Sequence, residues 1–264
     1  MPPARRVLIA GLGLIGGSAG MALRGEGWHV GYVDPAVVLQ DARASGAADI
    51  REDSLTAAHD YDLTILATPV DVTVRMLEEI DADNPVTTVC SVMGPLHEIG
   101  LRRGLRLVAG HPFAGSEQRS LAAARADLFA GRTWFLEETA ANDLVEQVAR
   151  HCGATIERIA SADHDRMMAA TSHLPQVLST ALAAWLDVHP ELAKHAGSGL
   201  RTFLRLAAGD GSVWAPILEA NRANLERPSR EVSALVEELL AGRESDAFAR
   251  AQHFLSTLDG GGRS

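Results

Sequence analysis

His111 heads the segment His111-Pro112-Phe113-Ala114-Gly115-Ser116-Glu117, directly after the aliphatic run Leu105 to Ala109. A free imidazole titrates near pH ~6.5, so a His at a strand end can take a proton from an alcohol near neutrality. An isolated His in such a place more often just caps the strand, but Pro112 and Gly115 argue for a shaped loop presenting the ring. Ser91 ends the preceding strand-like run Thr87 to Val92 and can bond both that imidazole and a substrate hydroxyl. Alone it is an ordinary strand-end serine. Arg201 and Arg205 sit at i, i+4 spacing within Gly199 to Ala207, on one face of an expected helix. Such a pair is either a solvated stripe or holds a carboxylate clamp.

A second chemistry lies at the start of the chain. Gly11-Leu12-Gly13-Leu14-Ile15-Gly16 follows the strand-like Val7 to Ala10 and opens a helical stretch, Leu14 to Arg24. Gly11 allows the tight turn, Gly13 lets backbone approach a pyrophosphate, and Gly16 lets helix pack against strand. The helix start then offers N–H groups and a positive dipole end to phosphates. Asp34 closes the next strand, His29 to Asp34, where a carboxylate accepts bonds from the adenosine ribose. Pro35 follows it and no Arg is adjacent, so NAD is expected over NADP. The run Leu63 to Thr68 finishes at Pro69, making Thr68 and Pro69 further candidate cofactor contacts at a strand C-terminus.

Strands and helices alternate through these motifs, with later strands expected at Thr133 to Leu136 and Ala154 to Ile159 around a helix from Asn142 to Cys152. That order predicts an α/β fold, a doubly wound parallel sheet of Rossmann type with ligands at the strand C-termini. After Ser161 the pattern turns all-helical, giving expected domains of 1–160 for dinucleotide binding and 161–264 for the helical part. His173 interrupts an apolar stretch there, and sequence physics favours a satisfied core histidine over a site residue. Core packing is likewise the default for Trp214.

The bulk properties narrow the function. The 264 residues carry a formal net charge of -10, which argues against a nucleic-acid binder yet leaves room for small anions held by local Arg residues. The longest apolar helix candidate, Met167 to Val188, is broken by His173, Pro175, Gln176 and Asp187, so no membrane span is expected. Cys90 and Cys152 form neither a metal pair nor a disulfide framework; no metal is expected. With no secretory leader read at the N-terminus, the expected location is cytoplasmic.

Taken together, GLGLIGGS at 11–18, HPFAGSE at 111–117, HDRMMAATSHLP at 164–175 and GLRTFLRLAAGDGSVWAPILEAN at 199–221 resemble the prephenate/arogenate dehydrogenase family. The resemblance runs from the first strand to about residue 240. It implies a Rossmann domain, a helical domain that builds a homodimer, and an NAD-dependent oxidative decarboxylation of a cyclohexadienol such as prephenate. By the same resemblance His111 takes the 4-hydroxyl proton, Ser91 orients it, Arg205 binds a substrate carboxylate and His173 lines the cleft. Glu117 lies at the cleft mouth, and Trp214 can approach the neighbouring subunit's site. Four positions depart from the family pattern: Thr88-Val89-Cys90-Ser91-Val92-Met93 lacks the usual Asp and Lys, Leu204 replaces a threonine, and Gln176 a histidine. These bear on which substrate is used, prephenate, arogenate or 4-amino-4-deoxyprephenate, more than on the reaction class. The chain is expected to carry neither a chorismate mutase segment nor a C-terminal regulatory domain. A hydroxyacid or imine reductase, which places a catalytic Lys or Asp among its helices, is disfavoured because the only lysine, Lys194, lies beside a surface turn. A catalytically silent dinucleotide sensor is the reading from another class, and it would not need His111, Ser91 and Arg205 together.

Overall fold

A computed structural model describes residues 4–115, 120–242 and 246–260. Its centre is a six-stranded sheet in the order β3-β2-β1-β4-β5-β6, all neighbours parallel. The strands are β1 (Arg6–Ala10), β2 (His29–Val33), β3 (Ile50–Arg51), β4 (Leu63–Leu66), β5 (Val86–Thr88) and β6 (Leu107–Val108). Side chains along β1 alternate faces: Val7 and Ile9 join one buried cluster with Val30 and Ile65, while Leu8 and Ala10 join another with Leu66 and Val86. Burial on both faces is why these strands read as unbroken apolar runs. Helix α1 (Leu14–Gly25) follows β1, α3 (Val70–Glu79) follows β4, and α4 (Gly94–Arg103) follows β5; the short α2 (Leu39–Ala44) lies beyond β2. The strand order reverses direction between β1 and β4, so their C-terminal ends open a crevice.

The sheet is shorter at its far edge than the sequence suggests. The run Leu105 to Ala109 contributes only Leu107–Val108 to it, and the chain then crosses into a second sheet of order β7-β8-β9. Here β7 (Gly110–Pro112) pairs antiparallel with β8 (Thr133–Glu137), which pairs parallel with β9 (Thr155–Ile159). Gly110 allows the crossing: a side chain there would stand 3.0 Å from both the Thr88 carbonyl oxygen and Leu136. His111 is therefore a strand residue facing Phe135, and not a loop residue at the end of the parallel sheet. Ser91 is displaced the other way, because β5 stops at Thr88 and leaves it in the connection to α4.

All described elements after β9 are helical: α5 (Asp143–His151) precedes β9, and α6 (Ser161–Met168), a π-helical turn (Ala169–His173) and α7 (Leu174–Asp187) follow it. Then come α8 (Pro190–Ala193), α9 (Ser198–Phe203), α10 (Gly211–Ala220), α11 (Arg222–Leu240) and α12 (Ala247–Gly260). Arg201 and Arg205 do not share one α-helix, since α9 ends at Phe203 and Leu204–Ala208 is a 3₁₀ turn. The cause is competition for the backbone by α7: Ser179 Oγ donates to the Phe203 carbonyl and accepts from Ala207 N, and Gln176 Nε2 donates to the Leu206 carbonyl.

The link between the second sheet and α6 is polar. Glu137, at the end of β8, accepts hydrogen bonds from the N–H and hydroxyl of both Thr139 and Ser161. Burial pushes its carboxyl pKa up, but these bonds outweigh it and bring it down to about 2. A carboxylate whose folded pKa is depressed adds stability that is full above its ordinary value and fades as pH falls toward 2. Glu137→Gln should therefore cost on the order of 2–3 kcal/mol at neutral pH, with the gap to the parent protein narrowing between about pH 4.5 and 2 in urea titrations. A gap that does not change with pH would mean the carboxylate charge is not what holds this junction.

Candidate active site

The crevice at the β1–β4 switch is built by the glycine loop. Gly11 adopts φ +89, and a Cβ on it would come within 2.5 Å of the Ala67 carbonyl oxygen. Gly16 packs so tightly on the loop that its Cβ would meet the Gly11 carbonyl at 2.0 Å. Helix α1 starts after Gly13 with no side-chain cap, so its first N–H groups point into the crevice unspent. Asp34 braces the loop from the end of β2, its Oδ2 accepting from Leu12 N and its Oδ1 from Ala36 N, both at 2.8 Å. Two cavities meet at Gly13 and Asp34. One of about 570 Å³ is lined by Leu12, Val37, Asp41 and Ser45, and one of about 530 Å³ by Gly11, Leu14, Ile15, Thr68, Pro69, Ser91 and Trp214. Uncapped helix, ribose-level acid and paired cavities suit an adenosine half and a nicotinamide half. Of the cofactor candidates, only Gly16 serves by packing and lines neither cavity; His111, His173 and Arg205 are not on their walls either.

His111 is buried, and its Nδ1 lies 3.0 Å from Nε2 of His164. His164 Nδ1 is in turn 2.8 Å from Oδ1 of Asp165. That carboxylate also accepts the Met93 and Gly94 N–H groups, both at 2.8 Å, at the start of α4. Phe113 and Phe135 stand edge-on or tilted to the His111 ring at 6.0 and 6.3 Å. Burial, then the neighbouring His164 and His173, lower the His111 pKa to about 3, so the resting ring is neutral. In the sequence, His164 and Asp165 stand out only as the start of the family-like segment 164–175; the packing of α6 on α4 that gives the pair its meaning is a tertiary event.

The other candidates divide. Ser91 is half-buried on the cavity wall, and among the described residues it makes no hydrogen bond to His111. Its neighbour Cys90 is no nucleophile, because burial pushes its thiol up to about 11. His173, in the π-helical turn, is fully buried with Nδ1 held 3.0 Å from Asn221 Nδ2 and Nε2 without a partner, and its ring meets Trp214 edge-on at 6.0 Å. Arg205 is exposed on its 3₁₀ turn and lines neither cavity, although Gly209 at the turn's end abuts the Trp214 indole. Glu117 lies outside the described residues.

Family models match almost the whole length: the nucleotide-binding domain of prephenate dehydrogenase over residues 19–158 and its dimerization domain over 160–251. The chain belongs to the prephenate dehydrogenase family. It is 30% identical over 263 residues to a probable prephenate dehydrogenase of Streptomyces niveus, covering 92% of this chain and 71% of that one. With the prephenate dehydrogenase of Bacillus subtilis it shares 29% over 239 residues, spanning 82% of this chain but 64% of the relative. The crystal structure of the Aquifex aeolicus prephenate dehydrogenase with hydroxyphenyl propionate and NAD+ superposes with a TM-score of 0.83 at 27% identity, covering 97% of each chain. The crevice thus lies in a chain whose N-terminal half matches a nucleotide-binding domain, and no helix among the described residues is long and apolar enough to cross a membrane.

Asp34 and Asp41 both face the cavity assigned to adenosine, so a 2′-phosphate would meet two carboxylates. NADP should bind at least about tenfold more weakly than NAD, and Asp34→Asn, which keeps an oxygen for Leu12 N–H, should shrink that ratio by roughly tenfold, ~1.4 kcal/mol. Fluorescence titration with both cofactors reads it; equal affinities in the parent protein would overturn the cofactor reading.

Proposed function

We propose that this protein oxidises and decarboxylates prephenate with NAD, yielding 4-hydroxyphenylpyruvate, CO2 and NADH. The observation that carries the reading is His111, a buried neutral imidazole anchored through Nδ1 beside the crevice, in the family's HPFAGSE segment. When bound, NAD supplies the hydride acceptor. The C4 hydrogen leaves with its electron pair while the hydroxyl proton passes to His111 Nε2. The bond from ring carbon to carboxylate then breaks, its electron pair aromatising the ring as CO2 departs. His111 returns the proton to the phenolate oxygen, so none is released overall. Proton sharing at the hydroxyl is what keeps positive charge from accumulating at C4 during hydride loss.

Ser91, on the cavity wall, orients the hydroxyl; Trp214 closes the cleft from α10, with His173 behind it. Arg205 clamps a substrate carboxylate, a role supported by its family position, by a guanidinium without an ion pair among the described residues, and by the contact of its turn with Trp214. Residues 1–160 act as the dinucleotide-binding domain and 161–264 as the substrate and dimerisation domain. The family-model break at 158–160 and the all-helical chain after Ile159 support this division. A homodimer through the helices is supported by large exposed apolar side chains there, among them Trp185, Val188, Leu240, Phe248 and Phe254. Cys90 and Cys152, both buried and unpaired, support a reducing cytoplasm as its setting.

Formation of NADH with prephenate tests the reaction, with arogenate as a parallel arm; normal NAD binding without turnover of either would favour a sensor. His111→Asn should bind NAD as the parent does and lose about 10²- to 10⁴-fold in kcat, and near-parental kcat in that variant removes the base. Arg205→Ala should raise KM for prephenate by about one to two orders of magnitude with little change in Tm; an unaltered KM would move the clamp elsewhere, Arg201 first.

A further inference from the structure

We propose that Asp165 fixes the two buried histidines of the site in opposite tautomers, His111 as a hydrogen-bond acceptor through its side chain and His173 as a donor through its main chain. The proposal deepens the reaction reading above and rests on it only for catalytic meaning; for neutral rings the tautomers follow from the hydrogen-bond geometry.

The first arm runs through His164. Asp165 Oδ1 already accepts the Met93 N–H and Oδ2 the Gly94 N–H, so the carboxylate can only accept from the imidazole beside it. His164 must therefore carry its proton on Nδ1, which leaves Nε2 bare in the neutral ring. At 3.0 Å from that bare nitrogen, His111 Nδ1 has to be the donor. The lone pair of His111 is then forced onto Nε2, which no hydrogen bond occupies among the described residues. A free imidazole samples both tautomers; here the one with a bare Nε2 is imposed from two residues away. His164, which bonds the base, and Asp165, which bonds His164, are positioning residues.

The second arm runs through Asn221. Its Nδ2 lies 2.8 Å from the Asp165 main-chain carbonyl, which can only accept, and its Oδ1 accepts from Asn224 Nδ2. The amide orientation is thereby settled, and the same Nδ2, 3.0 Å from His173 Nδ1, makes that nitrogen an acceptor. The proton of neutral His173 must sit on Nε2, the buried atom that has no partner. Leaving such a donor unpaired is costly, so His173 is poised to donate to an oxygen. The site thus holds an imposed acceptor, His111, and an imposed donor, His173, and both trace to Asp165, the residue bonded to the start of α4.

Long-range ¹H–¹⁵N NMR on the resting, histidine-labelled enzyme reads each ring directly, with resonances assigned by their loss in His111→Asn and His173→Asn. The expected spectrum has His111 protonated at Nδ1 and bare at Nε2, and His173 the reverse. Either ring in the other tautomer, or a doubly protonated His164, overturns the proposal, and neither result depends on which substrate is turned over. Kinetics give a second measurement. His164→Gln places an amide oxygen where Nε2 stood and can still accept the His111 proton, whereas His164→Leu cannot. The Leu variant should lose about tenfold or more in kcat at unchanged KM, and the Gln variant should recover most of that loss. Equal losses in the two, or parental kcat in the Leu variant, would count against the mechanism; should the Leu variant not fold, the spectrum of the parent enzyme still decides.

Discussion

The meeting of the Asp165 carboxylate with the first N–H groups of α4 is the contact on which the site's geometry depends. It is a bond between two parts of the chain that the sequence keeps far apart: α6 comes from the helical half and α4 from the parallel sheet. The N-terminus of a helix welcomes an acid because its N–H groups have no partners within the helix. Most helix ends meet that need with a local Ser, Thr, Asp or Asn, and α4 has none, since Met93 stands at its cap. In the absence of a local cap, the distant carboxylate of Asp165 takes that place at α4. Gly94 is part of the same arrangement, because a side chain there would crowd Asp165 Oδ2 at 2.9 Å.

Around this contact the two sheets have different roles. The parallel sheet presents its strand C-termini to a dinucleotide, as any doubly wound sheet can. The three-stranded sheet, reached through Gly110, turns His111 away from the parallel sheet and toward α6. Had the chain continued as a longer β6, His111 would have no route to His164. The shortness of β6 is therefore a condition of the His111–His164 contact on which the proposed chemistry rests.

Much of the dinucleotide half was legible in the residues, because its signals are local. A strand, a glycine loop, a helix and an acid lie within the first 34 positions, and each constrains backbone within a few residues of itself. The identity of His111 as a special residue was legible from its family-like segment, but its setting was not. Strand length is decided by pairing partners, so the run Leu105 to Ala109 carried no mark of where one sheet would give way to the other. The 3₁₀ turn bearing Arg205 was hidden for a similar reason: Leu204 to Ala208 has good helix formers, and it is Ser179 and Gln176, on another helix, that draw its backbone groups out of the α ladder. Gln176 illustrates the point twice, for as a departure from the family's histidine it looked like a question about substrate, and in the fold it is occupied as a tether.

Charge supplies the last constraint. A chain with formal net charge -10 offers a dianionic substrate no general attraction, so binding must come from cations at particular points. The buried interior of the site contains histidines held neutral and a carboxylate whose oxygens are already taken, which is an arrangement for handling protons and not for attracting anions. An arginine that stays outside, exposed and on a turn tied to α7, fits the complementary role, because it can meet a carboxylate without first being stripped of water. In the proposed mechanism, separating the proton-handling groups from the anion-holding group also protects the base. A guanidinium packed against His111 would lower its proton affinity beyond what burial already does, whereas one acting from the rim can hold the substrate while leaving the imidazole free to accept.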